Sequence, residues 1–507
     1  MYKENIFFSF EEFLFKMSRK KEFFLTIFSN FSLQFITAIC GFILPPLLVK
    51  TFGSEINGLV SSITQFIAYL NLVEAGIGAA SISALYKPLA EENLKKINGI
   101  LSATRKFYLK SGLIFSLGIF VLAILFPYIV ESNIEKKVSF FMVLILGISG
   151  SSEFFLIGKY RVFLTAEKKL YIISFIQAVW IFLNTIISVF LIKTGFNILI
   201  IKLISSSVYL SRFIVISFYV HRKYKMISYY ELPDISEISQ SKNALVHQIC
   251  GFVVYNSPVI ILTVLCGLKE VSVYSIYLLI FTAISNVASA LINGVQSFFG
   301  ESLVKDSKEI TKQFFSNYET FFFLLIFWLY SCTYILIMPF MKLYTVDMTD
   351  AEYFRTELAI LLVVAGILTN LRLPGGQMIN AAGHFKKTQW RSITEALINV
   401  STSVLFTVKF GILGVAFGNI ISSFYRGIDV IIYTNKHILF QKSLASFLKI
   451  ILFFIIFALL VFLCQKFKFN YSSWGEWLVS AVVSSMFLFL PVIFIFIFMK
   501  VKGSILK

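Results

Sequence analysis

The feature that most constrains this chain is a series of apolar runs, each long enough to cross a bilayer. A spanning helix needs roughly 20 mostly apolar residues. Fourteen such runs occur, at 23–49, 56–80, 107–130, 138–158, 170–192, 196–220, 243–266, 272–299, 314–340, 358–381, 390–408, 411–433, 445–464 and 477–499. A mean hydropathy of +0.83 and a charged fraction of only 14% exclude an ordinary soluble domain. In lipid, every backbone polar group must be satisfied within the segment itself, so runs of this length read as helices. The expected fold class is an all-α membrane protein of about fourteen transmembrane helices. At 193–195 and 409–410 the connections are so short that each flanking pair also reads as one long helix, but Lys and Gly at both breaks favour tight hairpins.

The formal net charge of +18 raises the question of nucleic acid. The basic residues instead fall in short clusters between apolar runs, with no continuous basic face, which is the distribution of topology signals. Alternate connections carry Arg19–Lys20–Lys21, Lys95–Lys96 with Arg105–Lys106, Lys159 and Arg161 with Lys168–Lys169, Arg222–Lys223, Lys305 with Lys308, Lys386–Lys387 with Arg391, Lys436 and Lys500, while the opposite connections carry far fewer cations and more acids. Both termini are therefore expected in the cytoplasm. No connection is long enough for a soluble domain, so the work of the protein is expected within or across the bilayer. Residues 1–22 mix Phe with charges and read as an amphipathic surface segment, not a cleavable leader.

Catalytic and metal chemistry find little support. The five cysteines are scattered singly (Cys40, Cys250, Cys266, Cys332, Cys464), and no metal-ligand spacing occurs. There is no P-loop, zinc-protease or nucleophile-elbow motif, so the chain is expected not to be an enzyme and to hold no cofactor. The four histidines (His221, His247, His384, His437) lie near helix ends and read as interfacial packing.

Two segments resemble one another. Asn184 and Ser188, then Lys193 and Gly195, then Ser206–Ser207 and Arg212, recur in order as Asn399 and Ser403, Lys409 and Gly411, Ser422–Ser423 and Arg426. Upstream, Thr165–Ala166 before Lys168–Lys169 resembles Ala381–Ala382 before Lys386–Lys387. Read as a repeat, this divides the chain into a first six-helix lobe (23–222), a linker (223–242), a second six-helix lobe (243–437) and two added helices with a tail (438–507).

An ionisable side chain in a helix core costs at least about 2.5 kcal/mol unless it meets a partner or water. Glu74, Glu153, Lys202, Arg212, Arg372, Glu395, Arg426 and Asp429 are such residues. Glu153 and Glu395 lie close enough to helix ends that a structural role suffices. Arg426 and Asp429 share a helical face and either pair with each other or face a ligand. Arg372 precedes Pro374–Gly375–Gly376, which should kink its helix and free backbone groups beside a guanidinium. Arg212, Arg372 and Arg426, with Lys202, are the candidate substrate-binding cations, suited to a diphosphate by the bidentate geometry of guanidinium. Glu74 and Asp429 are the candidate sites for a coupling proton or sodium ion.

The stretch Leu70–Asn71–Leu72–Val73–Glu74–Ala75–Gly76–Ile77–Gly78, and the stretch running from Gln377–Met378–Ile379–Asn380 through Gly383 to Lys386–Lys387, resemble segments of the Wzx-type polysaccharide flippases. These belong to the multidrug, oligosaccharidyl-lipid and polysaccharide exporter (MOP) superfamily. Glu stands at 74 where Asp is common in that family. The resemblance implies a MATE-like pair of lobes around an alternately opening cavity, and flipping of an undecaprenyl-pyrophosphate-linked oligosaccharide across the bacterial inner membrane. It further implies a monomer in the lipid bilayer, working beside other polysaccharide-assembly proteins and without nucleic acid. A multidrug antiporter on the same architecture is the main alternative. A membrane polymerase or ligase is disfavoured, because the longest external connection, 341–357, is short and lacks His.

Overall fold

A computed structural model describes residues 4–234, 242–293, 295–465 and 473–505. Within them the side chains of 4–21, 23, 242–244, 290–291, 293, 464–465 and 492–505 are not described. The side chains behind the amphipathic reading of 1–22, residues 235–241 of the expected linker, the Cys464 side chain, and Lys466 and Lys468 thus lie outside the described residues.

Fourteen helices are long and apolar enough to cross a membrane, and the described residues form helices and turns without strands. The chain divides into two compact units, Met1–Leu245 and Val246–Lys507. In the first unit, α1 (Glu4–Phe52) runs unbroken through Pro45 and Pro46, with no turn near residue 22 to separate a surface segment from the first span. Then follow α2 (Ser54–Leu70), α3 (Ile77–Ala90), α4 (Leu94–Ile129), α5 (Lys136–Ser152), α6 (Gly158–Ala166), α7 (Leu170–Lys193) and α8 (Ile198–Lys223). The second unit holds α9 (Lys242–Leu265), α10 (Leu268–Asn293), α11 (Val295–Lys305), α12 (Lys308–Tyr344), α13 (Thr356–Leu371) and α14 (Leu373–Ala381). It ends with α15 (Phe385–Phe410), α16 (Ile412–Tyr433), α17 (Leu444–Gln465) and α18 (Trp474–Ile505). Both short connections are tight hairpins, with Gly195 and Gly411 at positive φ.

Side chains that would be costly in water cover the outer faces. Phe24, Phe28 and Phe31 of α1 and Leu113, Leu117 and Phe120 of α4 are exposed, as expected of surfaces that hydrocarbon covers. Inside, small residues let helices approach. A Cβ at Gly418 would collide with Ser403 and one at Gly414 with the backbone of Thr407, so α15 and α16 pack at close range as small-residue membrane interfaces do.

Connections gather at the two ends of each unit as the charge alternation requires. At one end of the first unit, Asn133 donates from its backbone N–H and Nδ2 to Glu55 at 3.2 and 2.7 Å, joining the connections after α1 and α4. At the other, basic end, Lys169 Nζ donates to Glu167 at 3.0 Å and to the Tyr224 hydroxyl. Burial alone would lower the Lys169 pKa, but these hydrogen bonds outweigh it and hold the ammonium above its ordinary value. In the second unit Arg355 pairs with Glu270 at 3.1 Å, joining the connections after α9 and α12. One further buried ion pair holds α17 in place. Glu319 of α12 is 3% exposed and accepts from Lys449 Nζ and Ser446 Oγ, each at 3.0 Å.

Candidate functional site

Each unit contains one cluster of charged side chains at depths where isolated charge is costly. In the first unit the cluster begins at a break. After α2 the chain tightens into a 3₁₀ turn, Asn71–Glu74, and Gly76 then takes φ 83°, a left-handed conformation that glycine adopts without strain. The break leaves the Glu74 carboxylate facing α4 and α6. It accepts from the Tyr108 hydroxyl and from Arg161 Nη2 at 2.7 Å. Tyr108 can lie there because residue 158 is glycine, where a Cβ would collide with the Tyr108 ring. Glu153 sits at the start of a π-helical turn, Glu153–Ile157, and bridges two arginines, Arg161 Nη1 and Arg212 Nη2, each at 3.0 Å. Arg212 is almost fully buried, lies over the Tyr209 ring at 3.9 Å and donates to its hydroxyl at 2.9 Å. The cluster is an alternating chain, Glu74–Arg161–Glu153–Arg212, with no formal net charge.

The second unit builds a longer chain. Span ten breaks at Arg372, between α13 and α14, with Pro374 in the first turn of α14, where its missing N–H costs nothing. Arg372 donates to Glu395 of α15. Glu395 also faces Arg426 Nε of α16 at 3.4 Å. Arg426 pairs with Asp429 at 2.8 Å and donates to Ser392 Oγ at 3.1 Å, and Asp429 accepts from Arg391. The order is Arg391–Asp429–Arg426–Glu395–Arg372, three cations to two anions. A buried amide network flanks it: Asn399 accepts from Ser257 at 3.0 Å and donates to Asn419 at 2.8 Å and to Ser422 at 2.9 Å.

Arg212, Arg372 and Arg426 are thus all engaged by carboxylates, and Arg426 and Asp429 do pair with each other. Lys202, the remaining candidate cation, lies one turn into α8, ten residues or about 15 Å along the helix from Arg212. It is half-buried and has no hydrogen-bond or ion-pair partner among the described residues. Arg161 and Arg391 are absent from the sequence-derived set: Arg161 connects Glu74 to Glu153 in the first cluster, and Arg391 ends the second on Asp429. A signal for Arg391 exists in its i,i+4 spacing from Glu395.

Helix α13 separates two spaces in the second unit. On one face Leu362, Ala365, Gly366, Thr369 and the adjoining Arg372 line a cavity of about 180 Å³. Its other walls include Tyr255, Tyr274, Tyr330, Thr282, Ser285, Asn419 and Ser423. Thr369 and Ser423 hydroxyls lie 2.8 Å apart, Tyr255 and Thr282 hydroxyls likewise, and Asn370 donates to the Tyr330 hydroxyl at 3.0 Å. On the other face Ile360, Val363, Val364, Ile367, Leu368 and Leu371 line an apolar groove of about 470 Å³, closed by α12 and by Ile451, Phe454 and Phe457 of α17. No group of three or more His, Cys, Asp or Glu side chains that could hold a metal ion occurs among the described residues.

Solved structures share this fold. The chain resembles the lipid II flippase MurJ in an inward closed conformation with a TM-score of 0.65 and 16% identity, over 92% of this chain and 97% of that one. It resembles an inward-facing MATE-family multidrug resistance transporter of the MOP superfamily with a TM-score of 0.54 and 14% identity, over 85% and 98%. The fold is theirs. A MATE in the bent conformation superposes similarly, with a TM-score of 0.52. No protein-family model and no curated protein matches the sequence. The flippase-like fold makes the expected all-α, fourteen-span, MATE-like architecture a finding, and the chain a multi-pass membrane protein.

Proposed function

We propose that this chain is a lipid flippase that moves an undecaprenyl-pyrophosphate-linked oligosaccharide across the bacterial inner membrane by alternating access. The single observation that carries the reading is the two-faced α13. A cavity whose largely apolar walls carry tyrosine, hydroxyl and amide groups and end at Arg372 lies on one side of it, and a groove of aliphatic and aromatic side chains on the other. Sugars bind through aromatic faces and hydroxyl or amide hydrogen bonds, pyrophosphate through guanidinium, and a polyprenyl chain through apolar surface. A ligand with all three chemistries in one molecule fits a helix that presents the two environments on its two faces, about 10 Å apart.

The charge balance supports an anionic ligand over a cationic drug, because the second cluster carries one positive charge more than its carboxylates offset. Glu74, held by one tyrosine and one arginine, is the group proposed to exchange a proton or sodium ion. With the basic connections on the cytoplasmic side, both termini are cytoplasmic, and the chain acts as a monomer without catalysis.

The test is genetic and then biochemical. Deleting the gene should cause lipid-linked repeat units to accumulate on the cytoplasmic face. Purified protein in proteoliposomes should move a fluorescent pyrophosphate-linked glycolipid, and not a cationic dye. Efflux of cationic compounds without glycolipid movement would favour the multidrug-exporter reading and overturn this one.

A further inference from the structure

His247, in the second turn of α9, reads from sequence as interfacial packing, yet both of its ring nitrogens are engaged by α15. Nε2 lies 2.9 Å from the Phe385 carbonyl, and Nδ1 lies 2.7 Å from Ser392 Oγ. A carbonyl only accepts, so Nε2 carries a proton and donates it. Thr388 Oγ1, which spends its own hydrogen on the His384 carbonyl at 2.9 Å, lies 3.3 Å from the same nitrogen and fits as a second acceptor. Ser392 Oγ accepts from Arg426 Nη2 at 3.1 Å, and its own hydrogen then points at Nδ1 of His247. The donors therefore run one way, from Arg426 to Ser392, from Ser392 to His247 and from His247 to Phe385. A proton on Nδ1 would reverse the middle bond, take from the serine hydrogen its acceptor, and set a second cation one oxygen atom from a guanidinium.

What hangs on this relay is the sharing of Glu395. That carboxylate is 5% exposed and is held by Arg372 on one side and by Arg426 Nε, at 3.4 Å, on the other. Arg426 is divided between two acids. Its Nη1 pairs with Asp429, on its own helix, at the shorter distance of 2.8 Å. The bond from Nη2 to Ser392 pins the guanidinium to α15, one turn before Glu395 on the same helical face. Asp429 keeps Arg391 in any case. Glu395 has no such reserve: once an anion engages Arg372, Arg426 is the one ion-pair partner left to it among the described residues, and a buried carboxylate without a cation is costly.

We propose that His247 is a positioning residue for the anion site at Arg372. By taking the Ser392 hydrogen it turns the lone pairs of that oxygen to Arg426. Arg426, so anchored, keeps Glu395 compensated while Arg372 turns to a ligand. Without the imidazole acceptor the serine hydroxyl rotates, Arg426 settles on Asp429, and Glu395 holds Arg372 back from the cavity. His247 itself touches no ligand. The inference rests on the reading that Arg372 meets a pyrophosphate, and it adds the residue that governs how readily Arg372 is released.

The experiment measures binding of undecaprenyl pyrophosphate to the full chain in nanodiscs, with undecaprenol as the uncharged control and the thermal midpoint of each variant beside it. An asparagine oxygen takes the place of Nδ1, and a glutamine amide that of Nε2. His247→Asn therefore keeps an acceptor for Ser392 and gives up the Phe385 carbonyl, whereas His247→Gln does the reverse. Positioning through Ser392 predicts that His247→Asn keeps most of the affinity and that His247→Gln loses about tenfold, the worth of the Ser392 bond to a charged group. A histidine that merely ties α9 to α15 predicts the opposite order. Ser392→Ala should also lose about tenfold, and adding His247→Gln to it should cost nothing more, because the two residues act in one chain. Equal affinity in the Asn and Gln variants, the reverse order, or wild-type binding by Ser392→Ala overturns the proposal, the last even should no His247 variant fold. Arg372→Gln is the separate arm. If it binds as tightly as the wild type, or if the wild type binds the pyrophosphate no better than undecaprenol, the reading of the cavity falls and this inference with it. A loss in Arg372→Gln without the predicted order at His247 leaves that reading standing and overturns the inference alone.

Discussion

Replacing Arg372 with Gln, beside the parallel replacement of Arg426, separates the part of the second charge cluster that meets substrate from the part that holds the unit together. Arg372 is at the end of its chain. Its side chain is 20% exposed, it lines the cavity, and its only carboxylate, Glu395, keeps Arg426 at 3.4 Å when Arg372 is gone. The substitution removes one charge-assisted hydrogen bond from a carboxylate that stays paired, a cost of about 1.5–3 kcal/mol. Arg426 is internal to the chain, 10% exposed, and bonded to Glu395, Asp429 and Ser392 together. Removing it takes a guanidinium from two buried carboxylates at once, leaving Glu395 only Arg372 and Asp429 only Arg391, and breaking buried pairs costs about 3–5 kcal/mol. Transport should rank the other way. Loss of the guanidinium that faces the cavity should lower affinity for a pyrophosphate-linked lipid by about 10- to 100-fold, the equivalent of about 1.5–3 kcal/mol. Flipping in proteoliposomes, paired with the temperature of half-maximal loss of monodisperse protein, reads both effects. Wild-type flipping by Arg372→Gln, or equal destabilisation by the two variants, would refute the assignment.

Three further outcomes follow from the same contacts. Glu74→Gln leaves Tyr108 a neutral amide oxygen as acceptor and deprives Arg161 of one of its two carboxylates; it should abolish the response of transport to an imposed proton or sodium gradient while downhill exchange continues, measured in vesicles with each gradient in turn, and an unaltered gradient response would place coupling elsewhere. Glu319→Met leaves the Lys449 ammonium with only the Ser316 oxygens and should cost about 3–5 kcal/mol, most of which the double variant Glu319→Met, Lys449→Met should restore; a double variant as unstable as the single would show that the pair does not act as a unit. Val364→Trp fills the apolar groove without reaching the cavity, so it should slow flipping of a long-chain substrate and spare binding of a water-soluble headgroup analogue. Equal loss of both would sever groove from tail.

What the sequence made legible divides along a physical line. The spans, the two hairpins at Gly195 and Gly411, and the break ahead of Pro374 are local. Hydropathy over twenty residues, a positive-φ glycine and a proline that cannot accept a preceding helix turn each announce themselves. Other breaks were hidden by the same averaging. Span two is interrupted at Ala75–Gly76 and span four by a π-turn at Glu153, yet a one-residue irregularity leaves the hydropathy of a window unchanged. The acids of the two clusters were visible one at a time, because a carboxylate in an apolar run is conspicuous, whereas Glu319, near the start of the run at 314–340, is missing from the sequence-derived set. The partners of the cluster acids were not, because Arg161 sits where α6 extends past its apolar run and Arg391 at the very start of its own, next to Lys386–Lys387, and a residue counted as belonging to a basic connection is not sought as a partner for a buried acid.

The alternation of charges explains why one arginine, of the several that are buried, remains available to a ligand. A chain of ion pairs with an even number of members closes on itself: in Glu74–Arg161–Glu153–Arg212, each arginine has a carboxylate and the whole is neutral. A chain with an odd number and cations at both ends cannot close. In the second unit, Arg391 and Arg372 each hold the outer side of a carboxylate that Arg426 holds from within, leaving one positive charge to be met from outside. Arg391 disposes of its outward face on the Tyr433 ring, 4.9 Å away. Arg372 opens on the cavity. An anion arriving there would complete the alternation and compete with Glu395 for Arg372, so that binding at the cavity and the ion pairing of Arg372 with α15 would become one equilibrium. On the proposed function, substrate charge would then act on helix packing directly, through a residue that serves both.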